Sequence, residues 1–204
     1  MLEGEKAKIS ASNLQGKLNN QSPAPLVHRA QPAVVSITQA TELGTVYTID
    51  EILAISEVCK QNNLPLHIDG ARLANAIVAL GTTVADCTWR AGVDILSLGA
   101  TKNGAFAAEA VVFFDANKAA DFEFRRKRGG HLFSKYRFLS SQLVPYLESN
   151  YWLDLAENSN HRAKELARGL EKIQSITLSV EVETNMIFLQ MPTSFVNFLK
   201  QENC

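Results

Sequence analysis

PLHIDGARLANA (residues 65–76) is the stretch from which the fold can be read. Its first half, PLHID, is a short apolar run of strand length that ends in a carboxylate. Its second half repeats apolar residues at helical spacing, so a strand passes into a helix with only a turn between them. That step is the repeating unit of a parallel sheet covered by helices. Asp69 and Arg72 fall at the step itself. Taken alone they have an ordinary reading, in which the carboxylate caps the following helix and the arginine one turn in pairs with it. The same place is also where open α/β sheets bind ligands, outside the carboxyl ends of the strands.

On the amino-terminal side, PAVVSIT (32–38) reads as a strand. Turn-rich QATELGTVY follows, and then IDEILAISEVCKQNN (49–63), whose Ile49, Ile52, Leu53, Ile55 and Cys59 recur at helical spacing behind Asp50 and Glu51 in the first turn. Residues 1–32 read as one short strand, KIS, and a polar connection. On the carboxyl side a helix is expected over 71–80, a shorter one over 84–90, and the strand VDILSLG over 93–99. AEAVVFF comes too soon afterwards for a parallel crossover, so it is expected to run antiparallel, with Lys102 in the hairpin. Beyond Asp115 helical patterns dominate: NKAADFEFRRKR, a break at Gly129-Gly130, and a long pattern over 134–170 interrupted only at Pro145. ITLSVEVE and NMIFLQM read as two strands and SFVNFLKQENC as the opening of another helix. A boundary is expected near 150–160, dividing the chain into 1–153 and 154–204.

Composition limits the function. A chain of 204 residues with 46% hydrophobic content can bury a sizeable core. Lysine and arginine number 20 against 21 acidic residues, and a net charge of -1 gives no reason to expect nucleic acid or a membrane surface as partner. The expected ligand is small. Three cysteines form neither a close-spaced pair nor a zinc-like cluster with the four histidines, and an odd count suits a reducing compartment, so the cytoplasm is expected. No apolar run approaches the roughly 20 residues of a membrane span, and MLEGEKAKIS has neither the basic region nor the apolar stretch of a signal peptide.

Two successive strands end in reactive groups, one in Asp69 and the other leading to Lys102. GATKNGA surrounds Lys102 with small residues and no second charge, a setting in which desolvation is expected to lower the proton affinity of an imine-forming amine. Its ordinary alternative is a solvated loop lysine. A lysine for an aldehyde and a carboxylate for a ring nitrogen are what pyridoxal 5'-phosphate requires of a protein. His67, two residues before Asp69, shares its face of the strand. It is expected to be a hydrogen-bonded residue beneath the cofactor, and a base for a substrate hydroxyl is the alternative. His28 and His161 have no motif around them, and His131 follows the double glycine.

Three segments in order, PLHIDGARLANA, DILSLGATKNGAFAAEAVVFF and RRKRGGHLFSKYRFLSSQL, resemble the low-specificity L-threonine aldolases of the aromatic amino acid β-eliminating lyase and threonine aldolase group. The resemblance runs from PAVVSIT to NMIFLQM. It implies the aspartate-aminotransferase-like fold, an α/β architecture with a mainly parallel sheet and helices on both faces, followed by part of a smaller α+β domain. It implies that Lys102 carries pyridoxal 5'-phosphate as a Schiff base, that Asp69 pairs with the pyridinium, and that Arg72 approaches the phenolic oxygen or the substrate carboxylate. Gln39 would line the pocket or hold a turn. A charge run is ordinarily a solvated helix face; of this one Arg128, nearest the glycine break, would contact the phosphate, and Arg125, Arg126 and Lys127 are left unassigned. The implied reaction is retro-aldol cleavage of L-threonine or L-allo-threonine to glycine and acetaldehyde, in a homodimer or dimer of dimers. The alternatives are another pyridoxal-phosphate β-eliminating lyase, an aldolase for bulkier β-hydroxy amino acids, and a truncated chain without turnover. Family members carry an earlier glycine-containing phosphate loop and a ring-stacking histidine, and a later arginine for the substrate carboxylate. None is visible here, so the chain is expected to be an internal fragment.

Overall fold

The computed structural model describes residues 4–20, 27 and 30–202, so His28 and Cys204 lie outside it. It begins with a departure from expectation, because KIS is not a strand. Lys8 makes only an isolated bridge to Glu5, and its ammonium pairs with Glu51 at 2.8 Å. Ser10 instead opens helix α1 (Ala11–Asn19) by accepting from the Asn13 N–H at 3.1 Å. Leu14 and Leu18, one turn apart, then give α1 an apolar stripe against the core.

Strand β1 (Val35–Thr38), helix α2 (Ile49–Gln61) and strand β2 (Leu66–Gly70) follow as expected. A capping box starts α2: Thr48 accepts from the Glu51 N–H at 3.2 Å and Glu51 from the Thr48 N–H at 2.7 Å. Helix α3 (Leu73–Leu80) begins two residues later than expected, since Arg72 has non-helical angles (φ -128°, ψ 31°) and the Asp69 carboxylate takes the Ala71 N–H. The short helix α4 (Val84–Cys87) and a 3-10 turn (Trp89–Ala91) lead to strand β3 (Ile95–Gly99), then the hairpin and strand β4 (Glu109–Phe113).

The sheet order is β1-β2-β3-β4, with β1, β2 and β3 parallel and β4 antiparallel to β3. One face carries Val35, Ile37, Leu66, Ile68, Leu96 and Leu98, all buried in a single cluster with Ile52, Ile55 and Cys59 of α2. Each such side chain contributes about 1.5–3 kcal/mol by leaving water. The opposite face alternates half-buried and exposed residues. Asp94 ties the sheet to its surroundings, accepting from the Leu66 N–H at 2.8 Å and pairing with Lys118.

The second half comprises α5 (Phe122–Arg128), α6 (Arg137–Ser140), α7 (Leu143–Leu147) and α8 (Tyr151–Leu170). Pro145 is not the break that was expected. It sits in the first turn of α7, where a missing N–H leaves no helical bond unmade. The chain turns instead at Ser149 and Asn150, both left-handed at φ 54° and 60°. Strands β5 (Thr177–Leu178) and β6 (Leu189–Gln190) pair antiparallel and are far shorter than the segments read as strands. The residues between them serve the loop after β1: Glu183 accepts from the Val46 N–H at 2.7 Å, and the buried Thr184 hydroxyl donates to the Gly44 carbonyl at 2.8 Å. Those bonds hold the segment off the ladder. Helix α9 (Thr193–Gln201) ends the described chain. Between α3 and α8, Asn75 donates to Ser159 and Asn160, each at 2.9 Å, and Asn160 donates back to the Asn75 carbonyl.

Candidate active site

The candidate residues meet where β2 and β3 end. Asp69 lies opposite Thr38 on one side and Ser97 on the other, and its carboxylate caps the β2–α3 corner through the Ala71 N–H at 3.0 Å. The capping reading of Asp69 is therefore true of its Oδ1. Arg72 closes the same corner. Its Nε is buried and has no hydrogen-bond partner. A buried guanidinium donor left unpaired costs energy, so this nitrogen calls for an acceptor that the described protein groups do not supply.

Lys102 sits in a 3-10 turn (Thr101–Asn103) that leaves β3 beside this corner. The expectation of a desolvated lysine is not met, because Lys102 is exposed. Gly99 and Ala100 before the turn are buried, Thr101 and Gly104 are exposed like Lys102, and the buried member of the turn is Asn103. Gly99, just before the turn, approaches the corner closely: a Cβ there would lie 2.7 Å from the Ala71 Cα, so only glycine lets the two strand ends meet.

His67 is held from both sides on the face of Asp69. The Ser36 hydroxyl lies 2.8 Å from Nδ1 and the Ser97 hydroxyl 2.9 Å from Nε2. Burial lowers its proton affinity, an effect the nearby Asp69 partly opposes. A neutral ring bonded to two serines across three strands is suited to support a site from beneath.

Gln39 spans the loop after β1. It is fully buried, and its amide donates to the Tyr47 carbonyl and accepts from the Tyr47 N–H, both at 2.9 Å. Its backbone N–H still touches the site, donating to the Asp69 carbonyl at 2.8 Å. Arg128 ends α5 and lines a shallow cleft with Asp121, Phe124 and Lys127, while Arg125 pairs loosely with Asp121 at 4.0 Å. The member of the run that turns inward is Arg126, which stands over Tyr136 at 5.9 Å with its Nε buried and unpartnered.

Glu109 is the residue that sequence reasoning passed over. It lies opposite Gly99 and two residues before Val111, which faces Ser97, so it shares the face of Asp69. The signal was available in the hairpin register. Cys59 and Cys87 are free, buried thiols; burial, with Asp94 nearby, pushes Cys59 up to about 11. Among the described residues no group of three or more His, Cys, Asp or Glu could hold a metal ion, and no helix is long and apolar enough to cross a membrane.

A mainly parallel α/β sheet with an aspartate and an arginine at the end of β2 and a lysine in the hairpin after β3 has the architecture of the aspartate-aminotransferase-like fold. The chain belongs to the beta-eliminating lyase family, which it matches over residues 1–192. It is 46% identical over 176 residues to the low specificity L-threonine aldolase of Pseudomonas sp. (strain NCIMB 10558), covering 86% of this chain and 51% of that protein. The enzyme of the same name from Pseudomonas aeruginosa is 44% identical over 174 residues, covering 85% of this chain and 50% of that protein. The solved threonine aldolase of Leishmania major superposes with a TM-score of 0.86 at 28% identity, over 96% of this chain and 56% of that one. A pyridoxal-phosphate-bound C-S lyase from Staphylococcus hominis, 12% identical with a TM-score of 0.58, shares the fold. The chain spans about half the length of the curated relatives it matches.

Proposed function

We propose that this chain belongs to a pyridoxal 5'-phosphate enzyme that cleaves L-threonine and L-allo-threonine to glycine and acetaldehyde. The observation that carries the reading is the corner formed by Asp69, Arg72 and the Lys102 turn, in a chain 46% identical to a threonine aldolase. The buried, unpartnered Arg72 Nε supports the fit of the cofactor, since a phenolic oxygen or a carboxylate is the acceptor that it lacks. When bound, pyridoxal phosphate supplies an electron sink for the electrons of the cleaved Cα–Cβ bond.

The residues divide the remaining work. Lys102 would hold the cofactor aldehyde through its amine, which is exposed to the solvent. Asp69 keeps a proton on the pyridine nitrogen by placing a carboxylate against it. Arg72 donates to an oxygen at the corner and orients what is bound there. His67, fixed by two serines, backs Asp69 from within the sheet. Arg128 is proposed as a phosphate contact.

We further propose a cytoplasmic homodimer or dimer of dimers, with a division near 153/154 between a larger and a smaller domain. Exposed Phe106, Phe138 and Val144 support self-association. The backbones of Phe106 and Phe138 are joined through Gln142, which accepts from the Phe106 N–H at 2.8 Å and donates to the Phe138 carbonyl at 3.3 Å.

The test is to incubate the chain with pyridoxal phosphate, reduce with borohydride and locate the pyridoxyl mass by peptide mapping. Label on the Lys102 peptide is the expected result, and label elsewhere with none there refutes the assignment. Products from threonine, phenylserine and a β-substituted alanine, measured on the complete enzyme, separate aldol cleavage from β-elimination.

A further inference from the structure

Asn103 follows Lys102 and is the buried residue of its turn. Its Nδ2 donates to the Tyr146 hydroxyl at 2.9 Å and to the Trp152 carbonyl at 2.8 Å. Both acceptors belong to the core, Tyr146 on α7 and Trp152 on α8. The next residues are held by the same part of the chain. Gly104 has φ +113° and lies so close to α8 that a Cβ would meet Leu155 Cδ1 at 2.8 Å, while the Phe106 N–H is taken by Gln142, just before α7. Within the hairpin, Thr101 accepts from the Ala108 N–H at 3.2 Å.

We propose that Asn103 is a positioning residue for Lys102, fixing the lysine's turn against α7 and α8 through its two buried hydrogen bonds. This rests on the reading of Lys102 as the cofactor-bearing lysine. An exposed lysine has a flexible four-carbon stem, so the fold controls the place of its amine mainly through the place of its Cα. The sheet ends before Lys102, at Gly99, and beyond the hairpin's own bonds the turn is anchored by Gln142, α7 and α8. Burial raises the proton affinity of the Tyr146 phenolate, so the group that Asn103 meets stays a neutral hydroxyl. Removing the Asn103 amide leaves the Tyr146 hydroxyl without this partner in the core, takes from the Trp152 carbonyl the bond it accepts beyond those of α8, and frees the turn.

The full chain is compared with its Asn103→Ala and Tyr146→Phe variants. Without cofactor, the Ala105 and Ala108 amides are expected to exchange hydrogen about tenfold faster in Asn103→Ala, against unchanged exchange in β1 and β2. With pyridoxal phosphate and borohydride, the wild type is expected to label Lys102 in preference to the exposed Lys164. Asn103→Ala should lose about tenfold of that preference, and with it the induced visible circular dichroism of the bound cofactor. Tyr146→Phe, which keeps the Trp152 bond, should lose only part of each. A folded Asn103→Ala with wild-type exchange, preference and dichroism overturns the proposal. If Asn103→Ala does not fold, Tyr146→Phe decides, and no change in it overturns the proposal equally. A wild type without preference for Lys102 refutes the lysine assignment instead, and amide exchange then still judges whether Asn103 holds the turn.

Discussion

At the scale of the residue, the site depends on groups that each do two things. Asp69 spends Oδ1 on the Ala71 N–H and shares its face with His67, while Arg72 keeps a buried Nε in reserve at the same corner. Replacing Asp69 by Asn keeps the cap, because an amide oxygen also accepts, but removes the charge that would hold a ring proton. In the complete enzyme, Asp69→Asn should retain Lys102 labelling and lose about a hundredfold or more in threonine cleavage, a loss typical of removing one preorganised electrostatic partner. Near-normal turnover would return Asp69 to a capping role alone. His67 makes a second prediction. Its folded proton affinity is lowered by burial from the ordinary value of 6.5, so as pH falls the unfolded chain takes up the proton first. Its contribution to stability is whole above about pH 6.5 and declines as the pH drops below that value. Urea midpoints between pH 7.5 and 5.5 should show this slope, and His67→Gln should flatten it.

Among the elements, the helices of the first half are specified locally and the loop joints by contact. Thr48 and Glu51 form their capping box within one turn, so Thr48→Ala should cost about 1 kcal/mol in chemical denaturation and leave the rest of the fold unchanged. Gly92 is a different kind of position. It has φ +86°, and a Cβ there would fall 2.0 Å from Ser56 Oγ on α2 and 3.0 Å from Ser56 Cβ. Gly92→Ala should therefore destabilise by about 1–3 kcal/mol, and a variant as stable as the wild type would mean that the entry to β3 shifts freely. Of the elements themselves, α2, β2, β3 and the β4 hairpin could be read from apolar spacing. The first turn of the expected helix at 71–80 could not, since the Asp69 cap pulls Ala71 out of it. Nor could the β5–β6 region, whose alternating residues were drawn off by Gly44 and Val46, partners more than a hundred positions away.

For the whole molecule, what matters is which surfaces are left open. The sheet face bearing Ser36, Asp69 and Glu109 alternates half-buried and exposed residues, and Lys102 stands exposed at its end. Water would therefore reach an aldehyde held on Lys102, and pyridoxal phosphate taken up by this chain alone should be largely lost on gel filtration. An absorbance band that survives the column, together with acetaldehyde release from threonine, would show the chain to be a sufficient catalyst. Phe106 at 87% and Phe138 at 64% exposure form an apolar patch next to that same hairpin. Sedimentation should find dimers or larger species, and Phe138→Asp should shift them toward monomer; a monomeric wild type removes the patch as an interface.

By itself the sequence determined the fold class and the place of the candidate residues: period-two and period-3.6 spacing around PLHIDGARLANA set strands against helices, and Asp69, Arg72 and Lys102 fell at strand ends because side-chain period and chain direction are local properties. The tertiary structure alone decided how those groups are held. Glu109 joined the Asp69 face through hairpin register, Gln39 was bound to Tyr47 across the loop after β1, and Lys102 was left exposed while Asn103 took the buried place beside it. The first two turn on pairings within a loop or hairpin, whereas the third depends on a distant segment, because α7 and α8, which fix the turn of Lys102, lie some forty to fifty residues further along the chain.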